Sequence, residues 1–148
     1  MGSRRKAREL CIKVLFHLSF SDGDADEAFE LVCNNFEAPK SSMAYARQMV
    51  KGVWEKKGEL DSHIGKASKN WRIERMPVLD RSILRLAVME MLYMDDIPPK
   101  VSIDEAVELG KGFGGEDSAA FINGVLDNVF NRLLNEGRFD EGVKGSVE

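Results

Sequence analysis

Apolar positions recur along this chain at helical spacing, and short clusters of glycine, proline and small polar residues separate the periodic stretches. No run alternates β-branched and polar residues as a half-buried strand would. The pattern predicts an all-α fold of seven helices. The first runs from about Ser3 to Phe20 and ends at Ser21-Asp22-Gly23-Asp24; the second covers about Asp26 to Phe36 and is stopped by Pro39. The third starts near Ser41 or Ser42, either a good N-cap, and reaches about Lys57; the fourth covers Glu59 to about Lys69. Pro77 suits the first turn of a fifth helix that runs to about Met94 and is stopped by Pro98-Pro99. Ser102-Ile103-Asp104-Glu105 reads as a capping box opening the sixth, which Gly114-Gly115 ends. Asp117 or Ser118 caps the seventh, which reaches about Leu134, and the tail after Gly137 is expected to fray.

The fifth helix is apolar nearly all round, through Val78, Leu79, Ile83, Leu84, Leu86, Ala87, Val88, Met91 and Leu92, and so belongs inside a bundle. Its polar residues are then informative. Asp80, Arg81 and Arg85 share one side, whereas Glu90 projects among apolar neighbours. An isolated buried carboxylate is too costly to persist, so Glu90 reads as a hydrogen-bonded clamp between helices.

The first helix carries two apolar faces. Ala7, Cys11, Val14, Leu15 and Leu18 form the expected core stripe, while Ile12, Phe16 and Phe20 fall on roughly the opposite side, in line with Arg5. Either the helix is sandwiched between two subdomains, or Phe16 and its neighbours form a docking patch. Arg4, Arg5, Lys6 and Arg8 crowd the first turns, where the helix dipole favours anions instead. Guanidinium groups bind phosphates bidentately and stack on bases, which suits RNA; a merely solubilising basic terminus is the alternative. In the seventh helix, Ile122, Val125, Leu126, Val129 and Leu133 make the core stripe, and Phe121 points about 100° away from it. Phe121 is therefore either a base-stacking platform or a ring packed against the loop containing Phe113. Ser118 and the amides at that helix start offer a place for a phosphate.

Composition narrows the classes. The 148 residues suit one compact domain or two small subdomains sharing a core, and a hydrophobic fraction of 43% suffices to build it. No stretch approaches the apolar length of a membrane span, and the basic N-terminus runs into a charged helix without a signal-peptide cleavage pattern. Cys11 and Cys33 form no CxxC pair, so reduced thiols in a cytoplasmic protein are expected. The net charge of −4 argues against indiscriminate nucleic-acid binding and for a local basic patch helped by a partner. Catalysis finds no foothold. There is no phosphate loop, no GxGxxG and no GxSxG, and His17 and His63 are too few for a histidine-led metal site. Asp22-Gly23-Asp24-Ala25-Asp26 resembles a calcium loop only superficially, since loop position six is Glu27 and position twelve is Cys33. No enzyme activity, metal or cofactor is expected.

One long block is specific. Val101-Ser102-Ile103-Asp104-Glu105-Ala106-Val107-Glu108-Leu109, continuing through Phe113-Gly114-Gly115-Glu116-Asp117-Ser118 to Phe121-Ile122-Asn123-Gly124-Val125-Leu126-Asp127, resembles the NusB family of transcription antitermination factors. Arg4-Arg5-Lys6-Ala7-Arg8-Glu9 and Leu79-Asp80-Arg81-Ser82-Ile83-Leu84-Arg85-Leu86-Ala87 with Glu90 extend the likeness, which covers about Ser3 to Leu134. The resemblance implies an all-helical fold of two subdomains, about 1–72 and 73–137, followed by a flexible tail 138–148. It implies binding of boxA RNA in nascent transcripts, together with ribosomal protein S10 (NusE), within an RNA polymerase antitermination complex. RNA contact maps to Arg4, Arg5, Lys6, Arg8, Asp117, Ser118 and Phe121; the S10-facing surface maps near Phe16, Arg75 and Asp80, making the second apolar stripe partly a docking patch. Two positions depart from the family pattern: Phe16 stands where many relatives have tyrosine, and Ala119-Ala120 where relatives often carry a polar or basic residue. Domains of this type also occur fused to RNA cytosine methyltransferases, but nothing in this sequence extends into a methyl-donor-binding unit. A helical protein–protein adaptor without RNA contact is the rival reading. Self-pairing of the first helix in a homodimer would hide Phe16 and the arginines together.

Overall fold

In a computed structural model, residues 2–21, 23–34, 40–69 and 72–139 are described, apart from the side chains of Gly2 and Ser3. Among the described residues seven α-helices follow one another: α1 (Gly2–Ser19), α2 (Ala25–Cys33), α3 (Lys40–Glu55), α4 (Lys57–Ala67), α5 (Val78–Tyr93), α6 (Pro99–Phe113) and α7 (Glu116–Asn135). A short 3-10 turn, Ile73–Arg75, precedes α5. Among the described residues there is no strand, so the all-α expectation holds. The expected end of the second helix at Phe36, its stop at Pro39 and most of the expected tail lie outside the described residues. The chain divides into two compact units, Met1–Lys57 and Gly58–Glu148. This division groups α4 with the helices that follow it, whereas the resemblance, with limits of about 1–72 and 73–137, groups it with those before.

In the first unit α1, α2 and α3 pack on one another. The expected α1 stripe of Ala7, Cys11, Val14, Leu15 and Leu18 is buried, together with Leu10. From α3 come Ala46, Met49, Val50 and Val53, and from α2 Ala28 and Phe29. Each large aliphatic side chain removed from water in this way contributes about 1.5–3 kcal/mol. Asp24 caps α2, its carboxylate accepting from the Glu27 amide at 2.9 Å, and Asp26 and Glu27 complement the dipole in the first turn. On the surface Arg47 of α3 lies over the Phe29 ring at 4.5 Å and pairs with Asp26 and Glu30 of α2. The expected cap of the third helix moves: α3 opens at Lys40, and Ser42 lies inside it, 1% exposed.

The second unit is organised around α5. Ile83, Leu84, Leu86, Ala87, Val88 and Met91 are buried, as the all-round apolar pattern required. Glu90 is 1% exposed and accepts a hydrogen bond from the Ser102 hydroxyl of α6 at 2.7 Å, so it does tie two helices together. That bond also explains why Ser102 does not cap α6. The helix begins three residues earlier at Pro99, whose fixed φ and missing N–H suit a first helical position. On the polar side of α5, Arg85 forks onto Asp61 of α4 through two bonds of 2.7 Å. Asn128 of α7 donates to the Ala67 carbonyl at the end of α4 at 3.1 Å. Helices α6 and α7 approach closely at Gly110, where an added Cβ would lie 2.8 Å from Ile122 Cδ1 and 3.3 Å from the Ala119 backbone. Ala119 is accordingly buried and small because α6 passes over it. Neither Asp117 nor Ser118 caps α7; the N-cap is Gly115, at φ 98°, a conformation that glycine adopts without strain.

Candidate nucleic-acid interface

The start of α1 has no acidic residue in its first turn, leaving Arg4, Arg5 and Lys6 at the positive end of the helix dipole. Arg4 is steadied from α3: its guanidinium carbon sits 4.1 Å from the centroid of the Tyr45 ring. Arg5 and Lys6 are exposed. Arg8 separates from this group. It is 5% exposed, because it lies three residues before Cys11 and four before Ile12, on the helix flank that is buried.

At the other end of the same helix the second apolar stripe divides. Ile12 is fully buried, whereas Phe16 and Phe20 remain 40% and 67% exposed. The two rings meet edge to face, centroids 4.9 Å apart, which presents a joined aromatic surface to solvent. Large aromatic side chains left open together are the usual composition of a protein-docking patch.

In the second unit, Asp117 is exposed in the first turn of α7 and Phe121 is half-buried one turn later on the same face. Ser118 points inward instead, its hydroxyl donating to Asp80 Oδ1 at 2.9 Å. Asp80 itself is 5% exposed in the first turn of α5. Two residues that the resemblance assigns to different partners are thus bonded to each other. Arg75 is exposed on the 3-10 turn, which Arg81 of α5 anchors through a bond to the Ile73 carbonyl at 3.2 Å. Tyr45 and Arg81 were missed as supports of the candidate site. Tyr45 lies 41 positions from Arg4, so no local pattern marks it, and the bond of Arg81 to the Ile73 carbonyl is a contact that spacing does not display.

The first unit offers charge and apolar contact, and the second offers an exposed carboxylate and a half-buried ring. Among the described residues no group of three or more His, Cys, Asp or Glu side chains is placed to hold a metal ion, and no helix is long and apolar enough to cross a membrane. The fold and these surfaces define an all-helical module with a basic helix start. The chain belongs to the NusB family, whose pattern it matches over residues 5–131. It is 47% identical to the transcription antitermination protein NusB of Desulforapulum autotrophicum, over 97% of this chain and 99% of that protein. The NusB of Geobacter sulfurreducens is 44% identical over 93% of this chain and the whole of its own length. Among solved structures, the fold is similar to T. maritima NusB with a TM-score of 0.78 and 36% identity, covering 85% of this chain and 89% of that one. It is also similar, with a TM-score of 0.80 and 28% identity, to a chain in the crystal structure of antitermination factors NusB and NusE in complex with dsRNA, covering 89% and 98%.

Proposed function

We propose that this protein acts in transcription antitermination by binding the boxA element of nascent RNA together with ribosomal protein S10 (NusE), as part of an RNA polymerase antitermination complex. The observation that carries this reading is the concentration of Arg4, Arg5 and Lys6 at a helix start with no first-turn acid, on a chain of net charge −4. Cations placed against their own helix dipole are stabilised by an anion from outside. The NusB relatives, and the likeness to a structure of NusB and NusE in complex with dsRNA, support RNA as that anion and NusE as the protein partner.

In this reading Arg4, Arg5 and Lys6 neutralise RNA phosphates, with Arg4 pre-oriented on Tyr45. Asp117 accepts from base or sugar groups, and Phe121 stacks on a splayed base. Phe16 with Phe20 and the exposed Arg75 meet S10. Arg8, Asp80 and Ser118 act from inside the protein. Because the chain is net acidic, its affinity for RNA alone is modest and S10 raises it. Fluorescence anisotropy with labelled boxA RNA, titrated with the protein in the presence and absence of S10, tests this. We expect tighter binding with S10. Equal affinities would contradict shared recognition, and absence of RNA retention at any salt concentration would support the adaptor alternative.

A further inference from the structure

We infer that Asp80 is a positioning residue for the RNA-facing turn of α7, acting through Ser118 rather than by touching RNA or S10. The inference rests on the assignment of Asp117 and Phe121 to RNA. Asp80 is 5% exposed, so its carboxylate is not offered to a partner. It lies in the first turn of α5, where the dipole favours a negative charge. The group that reaches it is the Ser118 hydroxyl at 2.9 Å, from the first turn of α7. One carboxylate therefore joins two helix starts.

The far side of Ser118 is closed as well. A Cβ at Gly114 would stand 2.4 Å from Ser118 Oγ and 2.8 Å from its Cβ, so the serine fills the space that a side chain there would need. Helix α7 has no side-chain cap, and its N-cap Gly115 adopts φ 98°. The orientation of its first turn is consequently set by Ser118, held between Gly114 and Asp80. Asp117 immediately precedes Ser118 in the chain and Phe121 sits one turn on from Asp117, so a rotation of this turn moves both outward-facing groups together.

Charge and position make opposite predictions, which separates them. If the Asp80 charge merely repelled RNA, its removal would tighten binding. If Asp80 holds the turn, Asp80→Ala weakens binding. The test uses the full chain and a labelled boxA-like RNA without S10, with circular dichroism to confirm the fold. We expect Asp80→Ala and Ser118→Ala each to weaken binding by roughly three- to tenfold, the scale of one lost hydrogen bond. The double variant should be no weaker than either single one, because both remove the same link. Asp80→Asn, which keeps an acceptor for Ser118, should bind nearly as the parent does. Hydrogen exchange of the Ala119 amide, which bonds the Gly115 carbonyl at 3.1 Å, should quicken in both alanine variants. Phe121→Ala serves as the control. If it weakens binding while Asp80→Ala leaves it unchanged or tighter, or if the two single losses add, the positioning role is overturned and the RNA assignment stands. If Phe121→Ala has no effect, the RNA assignment of this face falls and the inference falls with it. Should Asp80→Ala not fold, Ser118→Ala against Asp80→Asn decides: equal losses in both, or none in Ser118→Ala, overturn the proposal.

Discussion

The starts of α1 and α7 are built on opposite electrostatic plans. At α7 the first turn carries Glu116 and Asp117, in accord with the dipole, and the side chain of Ser118 is committed to a buried carboxylate. At α1 the first turn carries no acid, and Arg5 and Lys6 stand exposed against the dipole. A helix start that satisfies itself needs nothing from outside to be stable. A start that works against itself gains when an anion arrives, and each such charge is worth about 0.3–1 kcal/mol. Under the proposed function, the electrostatic part of RNA binding falls to α1, and stacking and orientation fall to α7.

The largest effect should come from removing the cations. Replacing Arg4, Arg5 and Lys6 by alanine should weaken boxA binding on the order of 100-fold at 0.1 M salt, if each meets one phosphate. Thermal unfolding should show the fold intact, since Arg5 and Lys6 are exposed and the Arg4 contact with the Tyr45 ring is worth only about 0.5–1 kcal/mol. A collapse of stability would instead make the cluster structural. Next, Phe121→Ala should cost about 1–3 kcal/mol of RNA affinity and leave the salt dependence of binding alone, which would divide stacking from charge. Urea unfolding of Gly114→Ala should then report a loss of about 1 kcal/mol, because the new methyl displaces Ser118 from Asp80. An unchanged midpoint would mean that the first turn of α7 is not fixed by that contact.

The smallest effect concerns His63 of the second unit. Burial, and then the charge of Arg138, push this imidazole below its ordinary value of 6.5. The unfolded chain therefore binds more protons than the folded one between the lowered value and 6.5. Stability from this group is present above 6.5 and declines as pH falls through the lowered value. Unfolding midpoints measured across that range should show a slight decline on acidification that His63→Asn flattens, and an identical decline in the variant would assign it to other groups.

Much of the fold was legible because it depends on periodicity. The α1 and α7 stripes and the burial of α5 follow from spacing alone, and Glu90 could be read as a clamp because a carboxylate among apolar neighbours must have a partner. Helix starts were less legible. Pro98-Pro99 marks the end of one helix and the beginning of the next, and a tract only a few residues long gives no spacing by which to separate these roles. Residue type points to Asp117 or Ser118 as the cap of α7, yet Gly115 takes it through a backbone angle that sequence does not display. The sequence offers the candidate site as a set of residues but not as a set of bonds. Ser118 and Asp80 are 38 positions apart, Arg4 and Tyr45 lie on different helices, and nothing local records either contact. Charge alone groups Arg8 with its neighbours, although its place on the helical wheel puts it on the flank that is buried.

The salt dependence of boxA binding tests most directly whether the α1 start is the phosphate-binding surface. Observed affinity should be plotted logarithmically against salt concentration for the parent protein and for the variant lacking Arg4, Arg5 and Lys6. We expect the slope to be shallower by about 2 in the variant, the value for three phosphate contacts to a single strand. Parallel lines would contradict the assignment and place the phosphate contacts elsewhere on the molecule.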